Sequence, residues 1–74
     1  MGQAEIYEIL KEHEGEKLTI SQIMVLYKQK YGRPIPKSAA SIQLRKLWLS
    51  DMSVQCERIK DKGRIHLVYW YEER

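Results

Sequence analysis

Apolar positions recur with a helical period as far as about Ser50 and with a strand period after it. Between Ala4 and Glu14, the residues Ile6, Ile9, Leu10 and His13 fall at i, i+3, i+4 and i+7, which lays a single apolar stripe along a helix. The acidic first half of that segment suits the positive end of a helix dipole, and Gly15 is a C-terminal stop. His13, at the edge of the stripe, reads as boundary packing rather than as a ligand or a base. Leu18 leads into a second helix. Thr19 and Gln22 fit a capping box there, Ile20, Ile23, Met24, Tyr27 and Tyr31 share a face, Leu26 flanks it, Val25 points away, and Gly32 ends the helix. Arg33-Pro34-Ile35-Pro36 is a turn, because two prolines remove donors and restrict φ. A third helix starts at Pro36 or under a Ser38 cap and runs to about Ser50. Its buried face is Ala40, Leu44, Leu47 and Trp48; Ser38, Ala39, Ile42, Arg45, Lys46 and Leu49 point the other way, with Ser41 and Gln43 on the flanks.

The alternation that follows predicts a hairpin. Val54, Cys56 and Arg58 alternate with Ser53, Gln55 and Glu57, and Ile65, Leu67 and Tyr69 alternate with His66, Val68 and Trp70. A type I turn over Lys60-Asp61-Lys62-Gly63, with a G1 bulge at the glycine, pairs Cys56 with Leu67 and Val54 with Tyr69. That register puts Val54, Cys56, Ile65, Leu67 and Tyr69 on the core face. Met1 to Gln3 and Glu72 to Arg74 are expected to fray.

Composition bounds the answer. Seventy-four residues suit one domain, residues 1–74, with no room for a second core. Such a chain buries only about 60–65% of its unfolded surface, so pairing with a second copy would add stability. Cys56, the sole cysteine, rules out an internal disulfide framework and fits a reducing, cytoplasmic setting. No apolar run approaches the roughly 18 residues of a membrane span, and no secretory leader is evident. Charge is unevenly distributed. Residues before Lys17 carry a net −4, Lys17 to Ser50 carry +7 without a single acid, and the remainder is neutral, for a net +3. A basic block that coincides with the second and third helices is what a polyanion would meet, although basic surface is also commonly just solvated.

Three helices followed by a hairpin resemble the winged helix–turn–helix superfamily, an α+β fold. Leu44, Leu47, Met52 and Val54 match the run with which many members end the third helix and enter the wing, with Asp51 where a glycine is usual and Met52 in place of a leucine. Leu18-Thr19-Ile20 is similar to the segment that opens the second helix in that superfamily and often pairs as a short third strand. The likeness covers roughly Ile6 to Tyr71. It implies double-stranded DNA as partner, a third helix in the major groove and a two-stranded wing on the backbone, as in a small transcriptional regulator. On these positions, Lys37 and Ser38 would meet phosphate at the start of the third helix, Arg45 would read a guanine edge, Lys46 would touch phosphate and Ser41 either. Lys60, Lys62 and Arg64 on the wing would contact phosphates, and Lys30 and Arg33 would grip the flanking strand.

Ile42 and Trp70 carry more than one reading. Ile42 can pack on a thymine methyl or anchor a protein partner or second copy. Trp70, on the hairpin face with Val68 and His66, can pack over the end of the first helix or, together with Val68 and Leu49, form a homodimer or partner surface. A protein-interaction module within a nucleic-acid-processing assembly is the alternative to DNA binding. No enzyme is expected: His13, His66 and Cys56 are widely spaced, and there is no phosphate loop, nucleophile elbow or metal-ligand spacing. Accordingly, no cofactor, metal or small-molecule substrate is expected.

Overall fold

The computed structural model describes residues 2–73, so the fraying expected at Met1 and Arg74 lies outside the described residues. The elements follow in the order α1 (Gly2–Glu12), β1 (Leu18–Thr19), α2 (Ile20–Tyr31), α3 (Lys37–Ser50), β2 (Val54–Asp61) and β3 (Arg64–Tyr71). The stripe on α1 is the centre of the core: Ile6, Ile9 and Leu10 are essentially inaccessible. The helix starts at Gly2 instead of Ala4, so Gly2 and Gln3 are helical rather than frayed. After Glu12 the chain turns at Gly15, whose φ of +82° is the left-handed conformation that glycine adopts without a Cβ penalty. The Gly15 N–H then donates to the Tyr71 carbonyl at 2.9 Å and ties the end of α1 to the last strand.

The capping box at α2 forms as the spacing requires. The Gln22 N–H donates to Thr19 Oγ1 at 3.2 Å, and the Thr19 N–H donates to Gln22 Oε1 at 2.9 Å. Ile23 and Tyr27 are buried on its inner face, and Val25 is exposed. Gly32 closes the helix in the left-handed conformation. Ile35, which the pattern assigned only to a turn, is buried, because the flanking prolines hold the backbone extended and direct its side chain into the core.

α3 buries Ala40, Leu44 and Leu47. Trp48, expected on that face, is instead 46% exposed. It lies at the edge of the stripe and borders a cleft against the hairpin rather than the other helices. Past α3, Asp51 is extended, with φ of −126°. The turn is made by hydrogen bonds: Ser53 N–H donates to Asp51 Oδ1 at 2.8 Å and Val54 N–H to the Asp51 carbonyl at 3.1 Å. Met52 does not occupy a core position there; it is one of the most exposed apolar side chains.

The strands form one antiparallel sheet in the order β1-β3-β2, with the helices against one face. The short third strand near Leu18 is thus present, pairing Leu18 with Tyr69 and Thr19 with Val68. The hairpin register differs from the expected one by two residues. Cys56 lies opposite Tyr69 and Val54 opposite Tyr71. The loop is only Lys62-Gly63, with φ of +50° and +79°, a type I′ turn whose twist matches that of the strands. A two-residue shift preserves the side-chain alternation, so the facing residues are those expected while their partners are not. Ile65 and Leu67 do point with Tyr69, but they stay exposed because that end of the hairpin projects beyond the core. Tyr71 is buried and meets Tyr7 edge-on, with ring centroids 5.8 Å apart.

Candidate nucleic-acid interface

Pro36 precedes α3 with φ already near the helical value and no side chain to cap, so the first backbone N–H groups of the helix have no side-chain acceptor. Lys37 and Ser38 sit there, both exposed. Ser41 is half-buried, while Ile42, Arg45, Lys46 and Leu49 are exposed along the side of α3 opposite its buried stripe. Lys60, Lys62 and Arg64 are exposed at the far end of the hairpin, with Lys62 in the turn itself. Arg58 belongs with them. It is exposed and lines the cleft between β2 and α3, opposite Arg45. The period-2 alternation placed it on the α3-facing side of the strand, but its charge alone did not mark it as part of the site.

Two expected contacts are redirected. Lys30 forms an ion pair with Glu12, and Arg33 pairs with Glu5 at 2.5 Å while also donating to the Tyr27 hydroxyl at 3.2 Å. Both join α2 to the acidic side of α1, so neither is a free cation for a flanking strand. The carboxylates hold both cations above their ordinary pKa, Lys30 through its hydrogen bond to Glu12 and Arg33 through the charge of Glu5. The hydrogen bond from Tyr27 to Glu5 raises that phenol too. Lys17 turns to the other face of the sheet, 3.3 Å from Glu57 and 4.9 Å from the centroid of Trp70. Of the seven bases between Lys17 and Ser50, Lys28, Lys37, Arg45 and Lys46 make no ion pair among the described residues.

The surface expected for a second copy is also altered. Val68 is buried, being on the central strand, and Trp70 is half-covered beneath the Lys17 ammonium. Leu49 remains, at 69% exposure, but lies on α3 and away from that sheet face. Cys56, expected to be buried, is half-buried in the cleft beside Tyr69. His13 is half-buried as boundary packing requires, with Nδ1 2.7 Å from Glu16 Oε2. No group of three His, Cys, Asp or Glu side chains among the described residues is placed to hold a metal ion. No described helix is long and apolar enough to cross a membrane. No protein-family model, curated protein or solved structure matches the chain.

Tyr69 records how close the two walls of the cleft are. Burial first, and the adjacent Cys56 thiol second, push its phenol up to about 12, while the positive charge of Arg45 acts in the opposite direction. A phenol raised in the folded state contributes stability that is complete below its unfolded value of 10.0 and is lost as the pH climbs toward about 12. Thermal melts between pH 9 and pH 11, on the order of one unit either side of the unfolded phenol, should therefore show falling stability. Tyr69→Phe should flatten that decline, and an unchanged slope would place the alkaline sensitivity elsewhere.

Proposed function

We propose that this is a winged helix–turn–helix domain that binds double-stranded DNA as a small intracellular transcriptional regulator. The order of three helices, a short β1 and a hairpin is compatible with that fold. The observation that carries the function is the set of unpaired, exposed bases on two neighbouring elements. Lys37, Arg45 and Lys46 lie on α3, and Arg58, Lys60, Lys62 and Arg64 lie on the hairpin, none of them matched by a carboxylate within the protein among the described residues. Lys17, Lys30 and Arg33 are matched by Glu57, Glu12 and Glu5, whereas the seven bases on α3 and the hairpin have Asp61 among them and still leave an excess of positive charge on this side. On this reading α3 enters the major groove. Arg45 donates two parallel hydrogen bonds to a guanine edge, Ile42 packs on a neighbouring thymine methyl, and Ser41 lies within reach of base or backbone. Lys37, Ser38 and the uncapped N–H groups hold one phosphate, Lys46 another, and the wing straddles the adjoining backbone.

The division of labour is testable by titrating wild-type and variant protein into matched and randomised duplexes. Arg45→Ala should weaken the selected sequence by roughly 1–3 kcal/mol and reduce discrimination, whereas Lys62→Ala should weaken all duplexes alike and flatten the salt dependence by about one unit. Lys62 has positive φ, and alanine there bears a similar conformational cost, so the substitution reports charge rather than turn geometry. Equal losses on every duplex from both variants would show that α3 does not read bases.

A further inference from the structure

The exposed apolar side chains are concentrated around the same region as the bases. Ile42, Trp48 and Leu49 lie on α3, Met52 just beyond it, and Ile65 and Leu67 on the hairpin face that carries Tyr69. Between the two elements is a cleft of about 390 Å³ lined by Arg45, Trp48, Cys56, Arg58, Leu67 and Tyr69. No acid lines it, and neither arginine forms an ion pair among the described residues. The DNA contacts proposed for α3 end at Lys46, which leaves its last turn unused, and Trp48 and Leu49 lie in that turn with Met52 just beyond it. Large apolar groups exposed together and rimmed by charge of a single sign mark a protein-binding surface.

The charge decides what kind of protein fits. A second copy would set Arg45, Lys46 and Arg58 against bases like themselves unless its acids reached them. The acidic helix of a second copy, α1, keeps its apolar stripe of Ile6, Ile9 and Leu10 buried in its own core, so it has no free apolar side to offer the cleft. We propose that the cleft between α3 and the hairpin docks an acidic amphipathic helix from another protein. Its apolar stripe would fill the space between Trp48 and Leu67, and its carboxylates would meet Arg45 and Arg58. Docking itself is independent of the DNA reading. Because Arg45 is shared, the helix and DNA exclude one another, and that consequence rests on the proposed DNA contact.

The test uses the full chain carrying Trp70→Phe, so that Trp48 is the only tryptophan. The probe is a synthetic peptide of about 18 residues, five helical turns, with leucine at helical spacing and glutamate elsewhere. A scrambled peptide of the same composition and polyglutamate serve as controls. The amphipathic peptide should shift Trp48 emission to the blue and saturate, and the scrambled peptide should bind about tenfold more weakly. Leu67→Ala and Arg58→Glu should each weaken binding by about tenfold with unchanged circular dichroism. Amide chemical-shift mapping on the unaltered protein gives the same readout if Trp70→Phe perturbs folding.

Equal responses to all three peptides, or no saturable response, would overturn the proposal, as would an emission shift produced by raising protein concentration alone. Peptide that binds in the cleft and displaces a bound duplex supports both docking and exclusion. A complex of all three supports docking but overturns the shared use of Arg45. Duplex binding with no peptide binding overturns docking alone.

Discussion

Leu44→Ala is expected to destabilise the protein by about 2–5 kcal/mol, the cost of removing a fully buried leucine and leaving a cavity that its neighbours close only in part. Leu44 is inaccessible to solvent and lies at the centre of the stripe that holds α3 against the other helices. Native domains are stable by roughly 0.05–0.15 kcal/mol per residue, so a chain of this size has only about 4–11 kcal/mol to lose. The urea midpoint should fall by a large fraction, with an unchanged slope if unfolding stays two-state. Val25→Ala, at an exposed position on α2, should stay within about 0.5 kcal/mol of wild type. Similar losses at both positions would mean that α3 is not packed through Leu44. The consequence extends to function, since Arg45 and Lys46 follow Leu44 in the same helix and are positioned only while it is docked.

Duplex affinity should fall by about a thousandfold between 50 and 200 mM salt. Neutralising about six phosphates gives a log–log slope close to −5, and a fourfold rise in salt then multiplies to that loss. The exposed bases on α3 and the hairpin supply the required cations without Lys30 or Arg33, whose carboxylate partners belong to α1. Fluorescence anisotropy with a labelled random duplex measures the slope directly. A slope near zero would remove the electrostatic basis of the proposed function. Charge reversal at Glu12 or Glu5 gives a sharper internal check, because it frees Lys30 or Arg33 and should make the slope steeper.

Much of the local structure was legible because it depends on neighbours in sequence. The stripe on α1, the Thr19–Gln22 capping box, the glycine stop at Gly32 and the outward placement of Val25 follow from periodicity and backbone preference, although α1 ends at Glu12, short of Gly15. The hairpin faces were also legible, since alternation survives a two-residue slip. The register was not. Two turns close the same pair of strands, and the choice of Lys62-Gly63 in type I′ geometry required a lysine at positive φ, which sequence preference argues against. The exposure of Trp48 is not legible in the sequence for a related reason. Helical projection says which side of α3 it is on, but not whether another element covers that side.

The candidate site divides in the same way. The acid-free stretch could be counted along the chain, and it includes Lys37, Arg45 and Lys46 on α3. The count could not show that Lys17, Lys30 and Arg33 lean toward carboxylates up to forty residues away in sequence, or that Arg58 faces Arg45 across a cleft. The sequence alone determined where the helices and strands lie, which way their apolar sides point and which segment is positive, because these depend on spacing and local backbone energetics. Only the tertiary structure decided which charges are neutralised, which apolar side chains remain uncovered and how the hairpin meets α3. Those properties depend on distances between elements remote along the chain, and Coulomb attraction and burial act through space.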